Sequence, residues 1–298
     1  MTSPGLHSFL LGTLLLATSQ YAMAAIDVNS IWNYDDPAAS EVRFRELARS
    51  TDADGTAVLE TQIARTYGLR RRFDEARALL ARLEPRLSGL GPEARVRYHL
   101  EFGRTLISAV HNKSEKTEEA RTAARKAYLM AYEIARQHRL DYLAIDALHM
   151  LPFVDTDAEN SLKWTKLALD TTVQSDQPES KKWESTLRHN YGYYLHGQGR
   201  FEEALSIFKA NILVTKKAGN ATKTRIARWM VGWTLRSLGR LDEALAIQLQ
   251  LERENAKDAT PDQYVFEELA HLYRAQGIGV KAEHYAKLHE QQKRAEAK

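Results

Sequence analysis

Apolar residues recur along this chain at spacings of three and four positions. In the segment FEEALSIFKANI they fall on one helix face. The stretches between turn residues are rich in Ala, Leu, Glu, Arg and Lys, which favour helices. No segment shows the alternation typical of a half-buried strand. The sequence therefore predicts an all-α protein, and the apolar face of that segment consists of Phe201, Ala204, Leu205, Phe208 and Ile212.

The helical pattern itself is repeated. The segment HGQGRFEEALSIF, which begins at His196, is closely matched by RSLGRLDEALAIQ, so that Gly199 aligns with Gly239 after 40 residues. A third copy places Gly277 a further 38 residues on, and a fourth lies at Ile63–Pro85. Self-similarity at a nearly fixed period is the signature of a repeat array, in which each unit buries its apolar face against its neighbours.

Glycines occupy two kinds of position in these copies. Gly199 and Gly239 fall where one helix must end and reverse, and Gly tolerates the left-handed conformation that such a cap needs. Gly192 and Gly232 lie within helices, where Gly costs about 1 kcal/mol relative to Ala. We expect these mid-helix glycines to allow a close approach of the second helix of each unit. The small residues predicted on that second helix are Ala204, Ala244 and Ala282, with Phe201 and Phe208 filling the gap to the next unit.

The repeated pattern resembles the tetratricopeptide repeat family. It has a small residue, Leu three positions later, a Gly turn, and then aromatic-x-x-Ala with a large apolar residue four positions on. The usual unit has about 34 residues, whereas units of 38–40 residues here imply helices longer by about one turn. The resemblance implies a right-handed α-solenoid of stacked antiparallel helix pairs with a concave groove. The residues that carry it are Gly192, Leu195, Gly199, Phe201, Ala204 and Phe208.

We interpret the chain as three segments. Residues 1–24 are predicted to be a signal peptide, 25–54 an N-terminal segment with a cap helix, and 55–298 a solenoid of about six helix pairs. Asp36 is expected to cap the first helix, with Pro37 in its first turn. The total is thirteen helices. The repeats are clearest at 55–86, 182–217, 222–257 and 261–296, and two degenerate pairs are predicted at 92–137 and 140–173.

The first 24 residues differ from the rest because they contain no Lys, Arg, Asp or Glu. A ten-residue, largely apolar run at Phe9–Thr18 precedes small residues at Ala22 and Ala24, which predicts a signal peptide cleaved after Ala24. An uncleaved anchor is the alternative, but this run is shorter than the roughly 20 residues that span a bilayer. The chain has no cysteine, and an exported protein without disulfides fits a bacterial periplasm.

Charge and motifs exclude several classes of function. The 42 basic and 39 acidic residues are interspersed, with a net charge of +3, whereas nucleic-acid binders cluster their basic residues. None of the zincin, α/β-hydrolase or P-loop motifs is present. The segment Ser50–Thr61 resembles a calcium loop, yet its first and twelfth ligand positions are Ser and Thr. We therefore interpret it as a helix-capping turn and predict no enzyme, no cofactor and no metal.

The resemblance also implies which side chains face the groove. They stand at −3, +1 and +4 from the small residue within each first helix, which gives His189, Tyr193 and His196; Trp229, Trp233 and Arg236; Glu267, His271 and Arg274; and Thr61, Arg65 and Gly68. Aromatic and Arg side chains dominate interface hot spots. Packing of one Trp between helices is the alternative. The predicted partner-binding residues are Tyr193, Trp229, Trp233, Arg236, His271 and Arg274.

These observations favour an exported helical-repeat scaffold that binds a peptide segment or a partner protein in its concave groove, without catalysis. The alternative is a ligand-sensing accessory module of an envelope complex, which binds a small molecule or a cell-wall fragment. Neither interpretation includes nucleic acid or a membrane span after cleavage. The sequence leaves the oligomeric state open.

Overall fold

A computed structural model describes residues 26–296. Over this range the regular secondary structure is entirely helical, as predicted. No helix within it has the length and apolar character needed to cross a membrane. The predicted signal peptide lies outside the described residues.

Fifteen α-helices follow one another along this range. Two of them, α1 and α9, are single turns of four residues that the sequence pattern did not predict. The bounds are α1 (Val28–Ile31), α2 (Pro37–Leu47), α3 (Ala53–Leu69), α4 (Phe73–Leu83), α5 (Pro92–Leu106), α6 (Glu118–Gln137), α7 (Asp141–Met150), α8 (Ala158–Gln174), α9 (Pro178–Lys181), α10 (Glu184–Gly197), α11 (Phe201–Lys217), α12 (Ala221–Ser237), α13 (Leu241–Lys257), α14 (Gln263–Ala275) and α15 (Gly279–Glu296).

The helices pack as consecutive pairs. Helix α2 packs on α3, and its start is capped by Asp36, whose carboxylate accepts the backbone N–H of Ala39 at 3.0 Å. The pairs that follow are α3/α4, α5/α6, α7/α8, α10/α11, α12/α13 and α14/α15, and each also contacts the next pair. The all-α solenoid of stacked helix pairs is therefore confirmed. The boundaries at residues 24 and 54 stay predictions.

Left-handed residues reverse the chain between helices. Gly199 and Gly239 have φ of 72° and 73°. The residue after each donates its N–H to the carbonyl five positions earlier, as Arg200 does to Leu195 at 3.0 Å, which is the Schellman arrangement. Ala259 makes the same kind of turn with φ of 53° although it carries a side chain. The sequence pattern marks only those turns in which the left-handed residue is Gly.

The mid-helix glycines allow the predicted close approach within each pair. A Cβ atom on Gly192 would lie 2.5 Å from Cε1 of Phe208, and one on Gly232 would lie 2.6 Å from Nε2 of Gln248. Phe208 therefore packs against the partner helix of its own pair, and its filling of the gap to the next unit stays a prediction. The facing position is large rather than small because removing one side chain makes room for the opposite one.

The same contact recurs in a pair whose sequence does not show the motif. A Cβ atom on Gly103 of α5 would lie 2.6 Å from Cε1 of Tyr128 on α6. Tyr128 is fully buried, and its hydroxyl donates to the carbonyl of Ile107 at 2.6 Å. The long connection between α5 and α6 changes the spacing of the two contact residues in sequence, which hides this contact from a repeat alignment.

The core lies between the helix layers along the length of the solenoid. Its largest cluster extends from Val96 on α5 to Leu272 on α14. A second cluster joins the N-terminal helices to α5, and a third joins α13, α14 and α15. Because each pair shares its apolar face with both neighbours, the first helices of consecutive pairs are held side by side.

We predict that Gly192→Ala destabilises the protein, whereas Gly197→Ala in the same helix does not. The added methyl group at 192 overlaps the buried Phe208 ring, so the free energy of unfolding should fall by about 1–3 kcal/mol. At Gly197 a Cβ meets no atom within 4 Å, and the gain in helix propensity is up to about 1 kcal/mol. Urea denaturation measures both, and equal stability of the two variants would contradict the proposed contact.

Candidate functional site

The largest cavity has a volume of about 1040 Å³ and opens between the first helices α10, α12 and α14. Five residues predicted to bind a partner line it, which are Tyr193, Trp229, Trp233, Arg236 and His271. The sixth, Arg274, is exposed near the end of α14 and does not line the cavity. The rule for groove-facing positions therefore brings most of the predicted set to one place.

Aromatic rings form a continuous row along this cavity. Trp229 and Trp233 are one turn apart on α12, and their rings stack with centroids 5.9 Å apart and planes 18° apart. Tyr193 of α10 stacks on Trp233 at 6.1 Å, and His196 stacks on it at 3.4 Å. Helical spacing of four residues places both indoles on one face, and the neighbouring helix contributes the other two rings.

The two Trp residues both pack on the core and line the cavity. Each is partly buried against the hydrophobic core, so groove exposure and helix packing are not exclusive. Nε1 of Trp229 donates to the carbonyl of Tyr264 at 3.0 Å, and Gln248 donates to the carbonyl of Trp229 at 3.3 Å. Tyr193 and Tyr264 flank them with 55% and 56% of their surface exposed. The tyrosines thus provide the accessible aromatic surface.

His196 stabilises the row in its neutral form. Burial, together with the positive charge of the nearby Arg236, lowers the pKa of its imidazole to about 4. Its Nε2 lies 2.9 Å from the hydroxyl of Ser237, while its face covers the indole of Trp233. At neutral pH this ring is therefore an uncharged packing partner and does not add positive charge to the cavity.

Arg236 is engaged within the protein. Its Nε and Nη2 donate to the two carboxylate oxygens of Glu268 at 2.8 and 2.7 Å. Glu268 is 3% exposed, so this bidentate ion pair connects α12 to a buried side chain of α14. Glu268 therefore occupies the Nε/Nη2 edge of this guanidinium, and binding of a partner carboxylate by Arg236 stays a prediction.

Sequence reasoning missed two residues of the site, Tyr264 and Glu268. Both lie on α14 with Glu267 and His271, at positions i, i+3, i+4 and i+7 of one helix face. The sequence did contain a signal for them, because they share a helix face with Glu267 and His271, which were expected to face the groove. The rule predicts three groove-facing positions for each first helix, whereas the face of α14 that lines the cavity also includes Tyr264 and Glu268.

A second cavity, of about 220 Å³, lies between α3, α5 and α7. Arg65 and Gly68, which were expected to face the groove, line it, whereas Thr61 is fully buried and the prediction for it was wrong. A chain of ion pairs crosses the first helices here. Arg65 contacts Glu101 at 3.2 Å, Arg104 contacts Glu101 at 2.6 Å, and Arg104 contacts Asp146 at 2.5 Å.

The pKa values in this network follow from the ion pairs rather than from burial. Burial, the largest single effect, would raise the pKa of the Asp146 carboxyl, but the guanidinium groups of Arg104 and Arg65 together outweigh it and hold that pKa below its usual range. Burial would likewise lower the pKa of Arg104, and its two carboxylate partners raise it instead. Both groups are therefore charged at neutral pH, and the network is an electrostatic clamp across three helices.

The calcium-like segment serves as a helix cap. Asp52 accepts the backbone N–H of Gly55 at 2.7 Å, and Asp54 accepts that of Gly91 at 2.8 Å. The capping interpretation is thus confirmed. Within residues 26–296, no group of His, Asp and Glu side chains could hold a metal ion.

Comparison with known proteins shows that part of this chain matches one protein family. Residues 183–252 match the tetratricopeptide repeat family. This range contains α10, α11, α12 and the larger part of α13, and thus the helices that carry Tyr193, Trp229, Trp233 and Arg236. No curated protein matches the chain.

Solved structures share the tetratricopeptide repeat fold over most of the chain. The apo form of RapI aligns with a TM-score of 0.69 at 11% identity, covering 88% of this chain and 74% of that one. A Rap protein complexed with Competence and Sporulation Factor aligns with a TM-score of 0.51 at 13% identity, covering 88% and 72%. Aspartyl phosphate phosphatase F from Bacillus subtilis aligns with a TM-score of 0.52 at 16% identity, covering 89% and 78%. At these identities the similarity concerns the fold.

We predict that Arg236→Met lowers the free energy of unfolding by roughly 2–3 kcal/mol, because it leaves the carboxylate of Glu268 buried and unpaired. The loss is smaller than for a fully buried pair because the Arg236 side chain is 27% exposed. Adding Glu268→Leu should recover part of it. Arg240→Met is the control, since Arg240 forks onto Glu243 at the surface, where loss of an exposed ion pair should leave the stability nearly unchanged. Equal losses in thermal or urea unfolding would contradict the assignment.

A second prediction concerns the acid stability of the Arg104–Asp146 pair. Since the folded pKa of Asp146 is depressed, its contribution is complete above the unfolded pKa near 3.8 and is lost as the pH falls through the folded value. Asp146→Asn should therefore be less stable than wild type at pH 7 and approach it below about pH 4. Asp170→Asn, which removes an exposed pair with Lys166, is the control. A wild-type advantage that persists unchanged at low pH in urea titrations would refute it.

Proposed function

We propose that this chain is an exported helical-repeat scaffold that binds an extended peptide segment of a partner protein in its concave groove, without catalysis. The observation that carries this proposal is the row of stacked aromatic rings beside the large cavity of α10, α12 and α14. Well-packed aromatic side chains at the centre of a concave surface are typical of binding hot spots.

The exposure of the row fits an extended ligand. Tyr193 stands on α10 and Tyr264 on α14, with the two indoles of α12 between them. A peptide that lies across the first helices would contact these rings in succession. Aromatic side chains offer a large contact area and lose little conformational entropy on binding.

The polar groups around the cavity favour binding over catalysis. Glu268 is neutralised by Arg236, and Asp262 accepts the backbone N–H of Tyr264 at 2.8 Å as a helix cap. His196 is stacked and neutral. These side chains stabilise the helices that carry the aromatic row, and none of the three is poised as an acid, a base or a nucleophile.

The length of the repeat supports a wide groove. We infer a unit of 38–40 residues from the spacing of Gly199, Gly239 and Gly277. Helices α11, α12 and α13 each have 17 residues, which corresponds to about 25 Å. Of the three first helices at the cavity, α12 therefore presents the most side-chain positions to a bound segment, since α10 has 14 residues and α14 has 13.

Two further observations support the proposal. The Rap protein complexed with Competence and Sporulation Factor has the same fold as this chain, so this architecture is compatible with a binding role. Export rests on the uncharged leader with its ten-residue, largely apolar run and small residues at Ala22 and Ala24. With no cysteine in the chain, we propose the bacterial periplasm as its location.

A second candidate function is a ligand-sensing accessory module. The observation in its favour is the size of the large cavity, about 1040 Å³, which is at the upper end of the range for small-molecule sites, roughly 300–1,000 Å³. A small ligand that binds the folded state raises the melting temperature as its concentration exceeds the dissociation constant. A thermal-shift screen with cell-wall fragments therefore separates this function from peptide binding.

We predict that the double variant Tyr193→Ala/Tyr264→Ala loses peptide binding without losing stability. Wild-type protein is used to select binders from a randomised short-peptide library on phage. A selected peptide is then titrated by calorimetry against each variant. Because the two exposed rings bound the aromatic row, affinity should fall by at least about thirtyfold, the equivalent of about 2 kcal/mol. The melting temperature should stay close to that of wild type.

Leu213→Ala is the matched control. Leu213 is 70% exposed on α11 and does not line the cavity. Its affinity for the selected peptide should equal that of wild type. Undiminished binding by the tyrosine double variant would place the peptide site elsewhere on the molecule.

A further inference from the structure

The large cavity has an excess of negative charge. Among the described residues, two arginines and four acidic residues line it, which gives a formal charge of −2, although the whole chain carries +3. A concave site with one sign of charge concentrates counter-charges from solution. The six charged residues are Arg225, Arg236, Asp262, Glu267, Glu268 and Glu296.

Both arginines are already neutralised by carboxylates of this chain. Arg236 is held by Glu268 in the bidentate ion pair at 2.7–2.8 Å, and Arg225 forms an ion pair with Asp258. Burial lowers the pKa of His189, which leaves its imidazole uncharged at neutral pH. An anionic group of a ligand would therefore compete with a carboxylate of this chain for either arginine of the cavity.

The other acidic residues of the cavity differ in whether their carboxylates have a hydrogen-bond partner within the protein. Glu296 accepts from the side-chain amides of Gln292, at 2.9 Å, and of Gln263, and Asp262 is a helix cap. Among residues 26–296, Glu267 makes no side-chain hydrogen bond or ion pair. Its half-buried carboxylate helps to raise the pKa of Arg236 through space, but it has no hydrogen-bonded counter-ion among these residues and can pair with a cation of a ligand.

The rings next to Glu267 suit a cation. Trp229 and Tyr264 stand edge to face, with centroids 6.4 Å apart and planes at 73°. Two nearly perpendicular rings form a corner, and the face of each ring attracts positive charge through its quadrupole. Tyr264 and Glu267 are three residues apart on α14, so their side chains occupy the same helix face.

We propose that the peptide bound in this groove carries a lysine or arginine whose cationic group binds in the corner of Trp229 and Tyr264, with Glu267 as its counter-ion. This inference rests on the proposed function and specifies the chemistry of the ligand. Cation–π attraction and charge pairing both favour a positive group here, whereas Glu267 repels an acidic one.

The phage selection described above tests this inference. We expect the peptides selected by wild-type protein to be enriched in Lys and Arg relative to the input library. Peptides selected by Glu267→Gln should lose much of that enrichment. Glu283→Gln is the matched control, because Glu283 is an exposed glutamate of α15 outside the cavity. It should select the same peptides as wild type.

A double-mutant cycle then locates the contact. Replacing the key Lys or Arg of a selected peptide by Gln should weaken binding to wild type by about five- to tenfold. The same replacement should have much less effect on binding to Glu267→Gln, because the two groups are coupled.

The outcomes distinguish this inference from the proposed function. Selection of acidic peptides, or an equal effect of the Lys or Arg replacement in both backgrounds, would overturn the cation site and leave the peptide groove standing. Failure of wild-type protein to select any peptide would overturn both.

Discussion

The architecture depends on close contact between the two helices of a pair at a mid-helix glycine. At Gly192 and Gly232 the missing side chain makes room for Phe208 and Gln248 from the second helix. This contact sets the distance between the helices and so the direction in which the next pair is stacked. Gln248 also donates to the carbonyl of Trp229, so the packing constraint bears directly on the helix that presents the aromatic row.

Ion pairs connect the first helices of neighbouring pairs and add to the packing within each pair. In the C-terminal half the Arg236–Glu268 pair joins α12 to α14, and in the N-terminal half the chain from Arg65 to Asp146 joins α3, α5 and α7. These charges are largely removed from water, so each is stable only with its partner in place. They therefore hold the first helices that line the groove, and we propose that the aromatic rings and Glu267 bind the ligand.

Agreement between sequence and structure was greatest where a physical rule acts locally. The turn at Gly199 and the cap at Asp36 follow from backbone geometry within a few residues. The Gly103–Tyr128 contact was missed because a long connection between α5 and α6 separates its two halves in sequence. The turn at Ala259 was missed because alanine, unlike glycine, does not indicate a left-handed backbone conformation in the sequence.

Sequence alone determined the helical class, the paired organisation and the placement of five of the six predicted binding residues at the cavity, because these depend on periodicities within single helices. Tertiary structure decided which of the groove residues already form an ion pair within the protein. Arg236 appears free in the sequence, yet a glutamate 32 positions later occupies it. Ion pairing and ring stacking depend on distances between helices, and no spacing within one helix encodes those distances.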